Sequence, residues 1–129
     1  MERFILICLG GAIGTGLRYL TSGLAARWLG ADFPYGTLIV NVVGSFLIGL
    51  IQQVGTTSLL ISETTRVFLT VGIMGGLTTY SSFSYETVRL AEIGAWGPAW
   101  INVLVTTAVC LSVCFLGLAV GRLIVGVRV

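Results

Sequence analysis

The chain has 129 residues, 56% of them hydrophobic and 9% charged, with a net charge of +2. A soluble domain carries about 25% charged residues, so this one lacks the groups to face water over its whole surface, and its small charge leaves no nucleic-acid footprint. Histidine is absent, and the three cysteines, Cys8, Cys110 and Cys114, form no CxxC pair, which argues against a zinc site, a disulfide framework and histidine-based catalysis.

Charge-free runs mark membrane spans, because about 20 apolar residues cross the hydrocarbon core. They predict an all-α integral membrane protein with one domain over residues 1–129 and four transmembrane helices at about 4–29, 35–54, 66–89 and 97–121. The first nine residues resemble a signal peptide, but the glycine-rich continuation holds Arg18 and offers no convincing cleavage site, so a retained first helix is expected. Arg18 falls well inside this segment, where a guanidinium must snorkel, pair or face water. At the mouth of a pore it would concentrate anions.

The stretch Asp32-Phe-Pro-Tyr-Gly36 reads as a turn and helix start. In the middle of segment two stands Asn41, either glue between helices or a donor to an anion. Gln52 to Ser62 reads as a polar loop, and Ser62 as a cap for segment three.

Segment three combines the most polarity with the most surrounding apolar sequence: Gly72-Ile-Met-Gly-Gly-Leu-Thr-Thr-Tyr-Ser-Ser-Phe-Ser-Tyr-Glu86. Gly75 and Gly76 weaken a helix, and Thr78 and Thr79 favour extended backbone, so a break is expected at mid-membrane. Carbonyls freed by such breaks bind small hard cations such as sodium in transporters. Beyond it, Ser81, Ser82 and Ser84 supply hydroxyls. Tyr80 and Phe83 share a helix face and offer ring edges with partial positive charge. Together these groups suit a small anion; aromatics at this spacing are more often plain core. Glu86 closes the run.

After the turn Gly94-Ala-Trp-Gly-Pro98, segment four places Asn102, Thr106, Cys110 and Cys114 four apart on one face. This mildly polar stripe either lines a narrow path or holds threonines bonded to their own helix. Small residues also recur at helical spacing, Gly10 with Gly14, Ser45 with Gly49, Gly72 with Gly76 and Gly117 with Gly121, as in closely packed membrane helices. With the N-terminus inside, Arg3, Arg66, Arg122 and Arg128 face Arg18, Arg27 and Arg89 outside. That near balance gives no clear orientation and points to insertion both ways and pairing of antiparallel copies.

Gly75-Gly-Leu-Thr-Thr-Tyr-Ser-Ser-Phe-Ser-Tyr-Glu86 is similar to the GGLTTFSTFSxE run of the small bacterial fluoride channels, also called fluoride exporters. Gly11-Ala-Ile-Gly-Thr-Gly-Leu-Arg18 and Gly36-Thr-Leu-Ile-Val-Asn-Val-Val-Gly-Ser-Phe46 extend the resemblance over nearly the whole chain. It implies an antiparallel homodimer of four-helix subunits in the bacterial inner membrane, with two fluoride-selective pores. It also implies a central structural sodium ion on backbone carbonyls, here those of Gly75 and Thr78. The implied pore residues are Asn41, Tyr80, Ser81, Ser82, Phe83 and Glu86, with Asn102 and Thr106 from segment four and Arg18 at the vestibule. Two departures stand out: Tyr80 replaces the usual phenylalanine, and segment four has Asn102, Thr106 and Cys110 where the family often has tyrosine and serines.

The expected activity is passive export of fluoride. A proton-coupled small multidrug transporter would need a carboxylate in segment one, and residues 4–29 hold none. A non-transporting scaffold is the other alternative. An enzyme is not expected, since no nucleophile–base set is present.

Overall fold

The computed structural model describes residues 1–126; Arg128, counted in the charge balance, lies outside the described residues. Among them the regular structure is helical throughout. Three helices are long and apolar enough to cross a membrane: α1 (Glu2–Leu29), α2 (Tyr35–Thr57) and α6 (Trp96–Ile124). At 1.5 Å per residue even α2, with 23 residues, reaches about 34 Å.

The segment between α2 and α6 is composite. It runs through α3 (Glu63–Val67), a π-helical stretch π1 (Phe68–Met74), α4 (Gly75–Leu77) and α5 (Tyr80–Glu92), with Thr78 and Thr79 extended between α4 and α5. Ser62 caps α3 by accepting from the Thr65 amide at 3.1 Å. The helical end of α2 differs from expectation: it runs to Thr57, into the stretch read as loop. Thr56 donates to the Gln52 carbonyl and Ser58 to that of Val54, at 2.7 and 2.6 Å, so these hydroxyls satisfy the last carbonyls of the helix.

Glycine explains the packing. A Cβ at Gly14 would collide with the Ile73 carbonyl, and one at Gly76 with the carbonyl of Gly11; Gly10 and Gly72 face each other. Hence α1 lies directly on π1 and α4. On the other side, a Cβ at Gly49 would meet the Cys114 carbonyl at 2.5 Å, and one at Gly117 would strike that of Phe46, so α2 lies on α6. Such backbone approach is how helices gain dispersion contacts where lipid offers no hydrophobic driving force. Val40, Met74 and Leu77 fill the space between the two pairs, backed by Leu47, Ile48 and Ile73. The outward surface is apolar, with Phe4, Leu20, Trp28, Leu104 and Phe115 all exposed.

Candidate ion pathway at the helix interruption

The interruption follows from residue chemistry. Gly75 and Gly76 lower helix propensity, and the β-branched threonines fit extended backbone. Thr78 has φ −80 and ψ 156, and Thr79 has φ −155 and ψ 116. The Thr78 amide still closes α4 by donating to Met74 O at 3.0 Å. The next amide does not continue the ladder. Thr79 N donates instead to Asn41 Oδ1 at 2.8 Å, and Asn41 Nδ2 donates to Thr79 O at 3.1 Å. The Gly75 carbonyl is thereby left without its helical donor. Thr79 then restarts the helix: its Oγ1 accepts from Ser82 N at 3.1 Å and caps α5.

These pairings open a groove of about 420 Å³ between α2, α5 and α6. Asn41, Ser45, Tyr80, Phe83, Thr106 and Cys110 are among its walls. The rings of Tyr80 and Phe83 lie 5.5 Å apart at 50°, a tilted pair, with Tyr80 80% exposed and Phe83 half-buried. Ser82 Oγ sits 3.1 Å from Thr79 Oγ1 and Ser81 Oγ 3.3 Å from it, so the two serines form a hydroxyl cluster around the cap rather than a free row.

Glu86 lies elsewhere. It lines a second cavity of about 700 Å³ with Thr37, Tyr85 and Arg89. Thr37 Oγ1 donates to Glu86 Oε1 at 2.8 Å, whereas Oε2 is buried without a partner among the described residues. Arg18, half-buried, reaches the interruption itself and donates to Thr78 O at 3.4 Å. One of the two carbonyls expected to hold a cation thus already faces a guanidinium in the single chain.

Asn102 turns away from both cavities. It is 1% exposed and donates to Thr87 Oγ1 at 2.9 Å, while Thr106 Oγ1 donates to Asn102 Oδ1 at 3.2 Å. Of the two expected segment-four residues, the groove therefore receives Thr106 and not Asn102.

In the sequence alone Thr37 and Thr87 do not stand out, and Thr79 reads only as extended backbone, not as the partner of Asn41 and the cap of α5. A signal existed for Thr37, which precedes Asn41 by one helical turn and shares its face. Thr87 follows Phe83 by one turn and shares its face in the same way.

The family model "CrcB-like protein, Camphor Resistance (CrcB)" matches residues 5–118. A protein of Sorangium cellulosum called "Fluoride-specific ion channel FluC" is 50% identical over 122 residues, covering 95% of this chain and 96% of the relative. Its namesake in Anaeromyxobacter dehalogenans is 48% identical over 126 residues, 98% of this chain and all of the relative. A third, from a Geobacter species, is 48% identical over 122 residues, 95% of this chain and 98% of its own length. With the apolar helices and the interrupted segment packed between them, these matches place the chain in the CrcB-like family.

Proposed function

We propose that the chain is a fluoride-selective channel that exports fluoride passively across the bacterial inner membrane, in which it is a multi-pass protein. One observation carries this reading. The groove beside the interruption gathers an amide, hydroxyls and aromatic ring edges, in a chain 48–50% identical to proteins named fluoride-specific ion channels. Fluoride is small and strongly hydrated. Leaving water requires donors and partial positive charge placed in advance, as in other selective pores. Asn41 supplies an amide N–H, Ser45 a hydroxyl, and Phe83 and Tyr80 ring edges, while Thr106 lines the groove with its proton given to Asn102. Ser81 and Ser82 hold the cap beside this row, and Glu86, with Thr37, lines the second cavity, which would extend the path. Hydrogen fluoride enters cells as the neutral acid and dissociates. An inside-negative potential then drives the anion out with about 2.3 kcal/mol per 100 mV.

The finer architecture belongs to the same proposal. Residues 63–92 form a fourth crossing whose interruption sits near mid-membrane, and residues 1–129 act as one transmembrane domain. Two antiparallel copies complete the channel, a reading supported by the nearly balanced arginines and by the exposure of Gly75 and Tyr80 on the single chain. A structural sodium ion at the dimer centre fits the donor set. The Gly75 carbonyl has lost its helical donor, and carbonyl oxygens suit hard cations. Gly75 and Thr78 of each copy would hold the ion, which supplies positive charge that ties the two interruptions together. Arg18 already contributes such charge at Thr78 O.

The test is efflux from liposomes containing the purified protein. Fluoride leaves rapidly and chloride does not. Loss of neither ion contradicts a channel, and loss of both contradicts the selectivity.

A further inference from the structure

We infer that Asn102 is a positioning residue for the aromatic wall of the groove: through Thr87 it sets the rotation of α5 and with it the place of the Phe83 ring. The inference rests on the channel reading only for its consequence in fluoride flux.

The argument begins with donor arithmetic. A threonine hydroxyl has one proton. Thr87 Oγ1 lies 2.7 Å from the Phe83 carbonyl, which can only accept, so the Thr87 proton goes there. Thr87 must therefore accept from Asn102 Nδ2, 2.9 Å away. Asn102 Oδ1 in turn accepts from Thr106 Oγ1 at 3.2 Å, which fixes which end of the amide points at α5. The result is a chain of donors running one way, from Thr106 through Asn102 and Thr87 to the backbone of Phe83.

Its place in the fold gives it leverage. The helix α5 begins directly after extended backbone, so α4 does not dictate its rotation. Toward α2 it is held by the Thr37–Glu86 hydrogen bond and by the pairing of Asn41 with Thr79 just before its start. Toward α6, Asn102 to Thr87 is the one side-chain hydrogen bond among the described residues. Thr87 lies one turn after Phe83 on the same face, so anchoring Thr87 anchors the direction of Phe83. Each residue of slippage turns a helix by about 100°, enough to move the ring out of the groove. An amide buried to 1% exposure on a membrane-type helix is costly in hydrocarbon unless bonded; here both of its ends are.

The experiment uses full-length protein in liposomes with the variants Asn102→Leu, Thr87→Val, both together, and Thr87→Ser. Asn102→Leu and Thr87→Val each lower fluoride flux by roughly threefold to tenfold, the population change expected for a lost interhelical bond. The double variant is no worse than either single one, and Thr87→Ser restores flux because it keeps the hydroxyl. A second readout does not depend on conduction. With 4-fluorophenylalanine incorporated, the Phe83 fluorine resonance, assigned by its loss in Phe83→Ile, shifts in Asn102→Leu while those of Phe4 and Phe115 stay in place. Additive losses, failure of Thr87→Ser to restore flux, or an unmoved Phe83 resonance would overturn the inference. Absence of fluoride flux in the unmodified protein contradicts the channel reading instead, and the resonance still decides the role of Asn102.

Discussion

Asn41 and Thr79 hold each other in both directions, Asn41 Nδ2 donating to Thr79 O at 3.1 Å and Thr79 N donating to Asn41 Oδ1 at 2.8 Å. The pairing takes the place of one step of the helical ladder. It also orients the amide: its oxygen is occupied, and the one group left for the groove is an N–H. An anion finds a donor there.

The first prediction follows. Asn41→Asp removes both N–H groups and sets a carboxylate against the Thr79 carbonyl. Losing a buried hydrogen bond to an unpaired acceptor costs about 1–3 kcal/mol, so fluoride flux should fall by at least roughly tenfold. Phe83→Ile, which removes the ring edge, should suppress flux similarly. Both variants should still assemble, as judged by size in detergent. Undiminished flux in both would remove these residues from the pathway.

Thr37 is predicted to matter through Glu86. Thr37→Val leaves Glu86 Oε1 without the donor now at 2.8 Å and so leaves both carboxylate oxygens unpartnered. A destabilisation of about 1–3 kcal/mol is expected, together with reduced flux. Thr37→Ser keeps the hydroxyl and should behave as the original. Denaturation in detergent and flux, measured side by side, check this; equal behaviour of valine and serine would contradict it.

Packing variants separate tight glycines from free ones. Gly117→Ala places a methyl against the Phe46 carbonyl, and Gly14→Ala places one against Ile73 O, whereas Gly97 has nothing within 4 Å. The first two should lose about 1–3 kcal/mol or more, as overpacked positions do. Gly97→Ala should be nearly neutral. A ranking in which Gly97→Ala is the most damaging would show that the α1–π1 and α2–α6 contacts are misplaced.

Sodium is predicted to stabilise the assembly. A ligand bound only by the folded state adds about 2.7 kcal/mol at one hundred times its dissociation constant. If the proposed sodium-bridged dimer forms, the thermal midpoint of the protein should therefore fall when sodium is replaced by a large organic cation at equal ionic strength. A midpoint indifferent to the cation would argue that the charge of Arg18 at Thr78 O is sufficient for the interruption.

Much of the architecture is visible in one dimension. Uncharged runs locate α1, α2 and α6, because exclusion from hydrocarbon acts on every residue of a span. The string Gly75-Gly-Leu-Thr-Thr79 carries its irregular backbone in its own propensities. Other features depend on partners far along the chain. Thr79 finds Asn41 across 38 positions, and Glu86 finds Thr37 across 49. Periodicity says which face a residue occupies but not which neighbour that face meets. For the same reason Asn102 reads from its spacing as part of a lining stripe, although the structure turns it toward Thr87. The π-helical stretch Phe68–Met74 has no signature in composition: it accompanies the close approach of α1 to Gly72 and Gly76. The extension of α2 to Thr57 is not legible in composition, because polar side chains there bond their own helix instead of water.

The measurement closest to the central claim is the reversal potential of the purified protein in a planar bilayer, with fluoride on one side and chloride on the other. The account predicts a potential that follows the fluoride gradient, does not respond to chloride, and is unmoved by a pH gradient. A potential set by chloride, or one that tracks the proton gradient, would contradict a passive fluoride-selective channel.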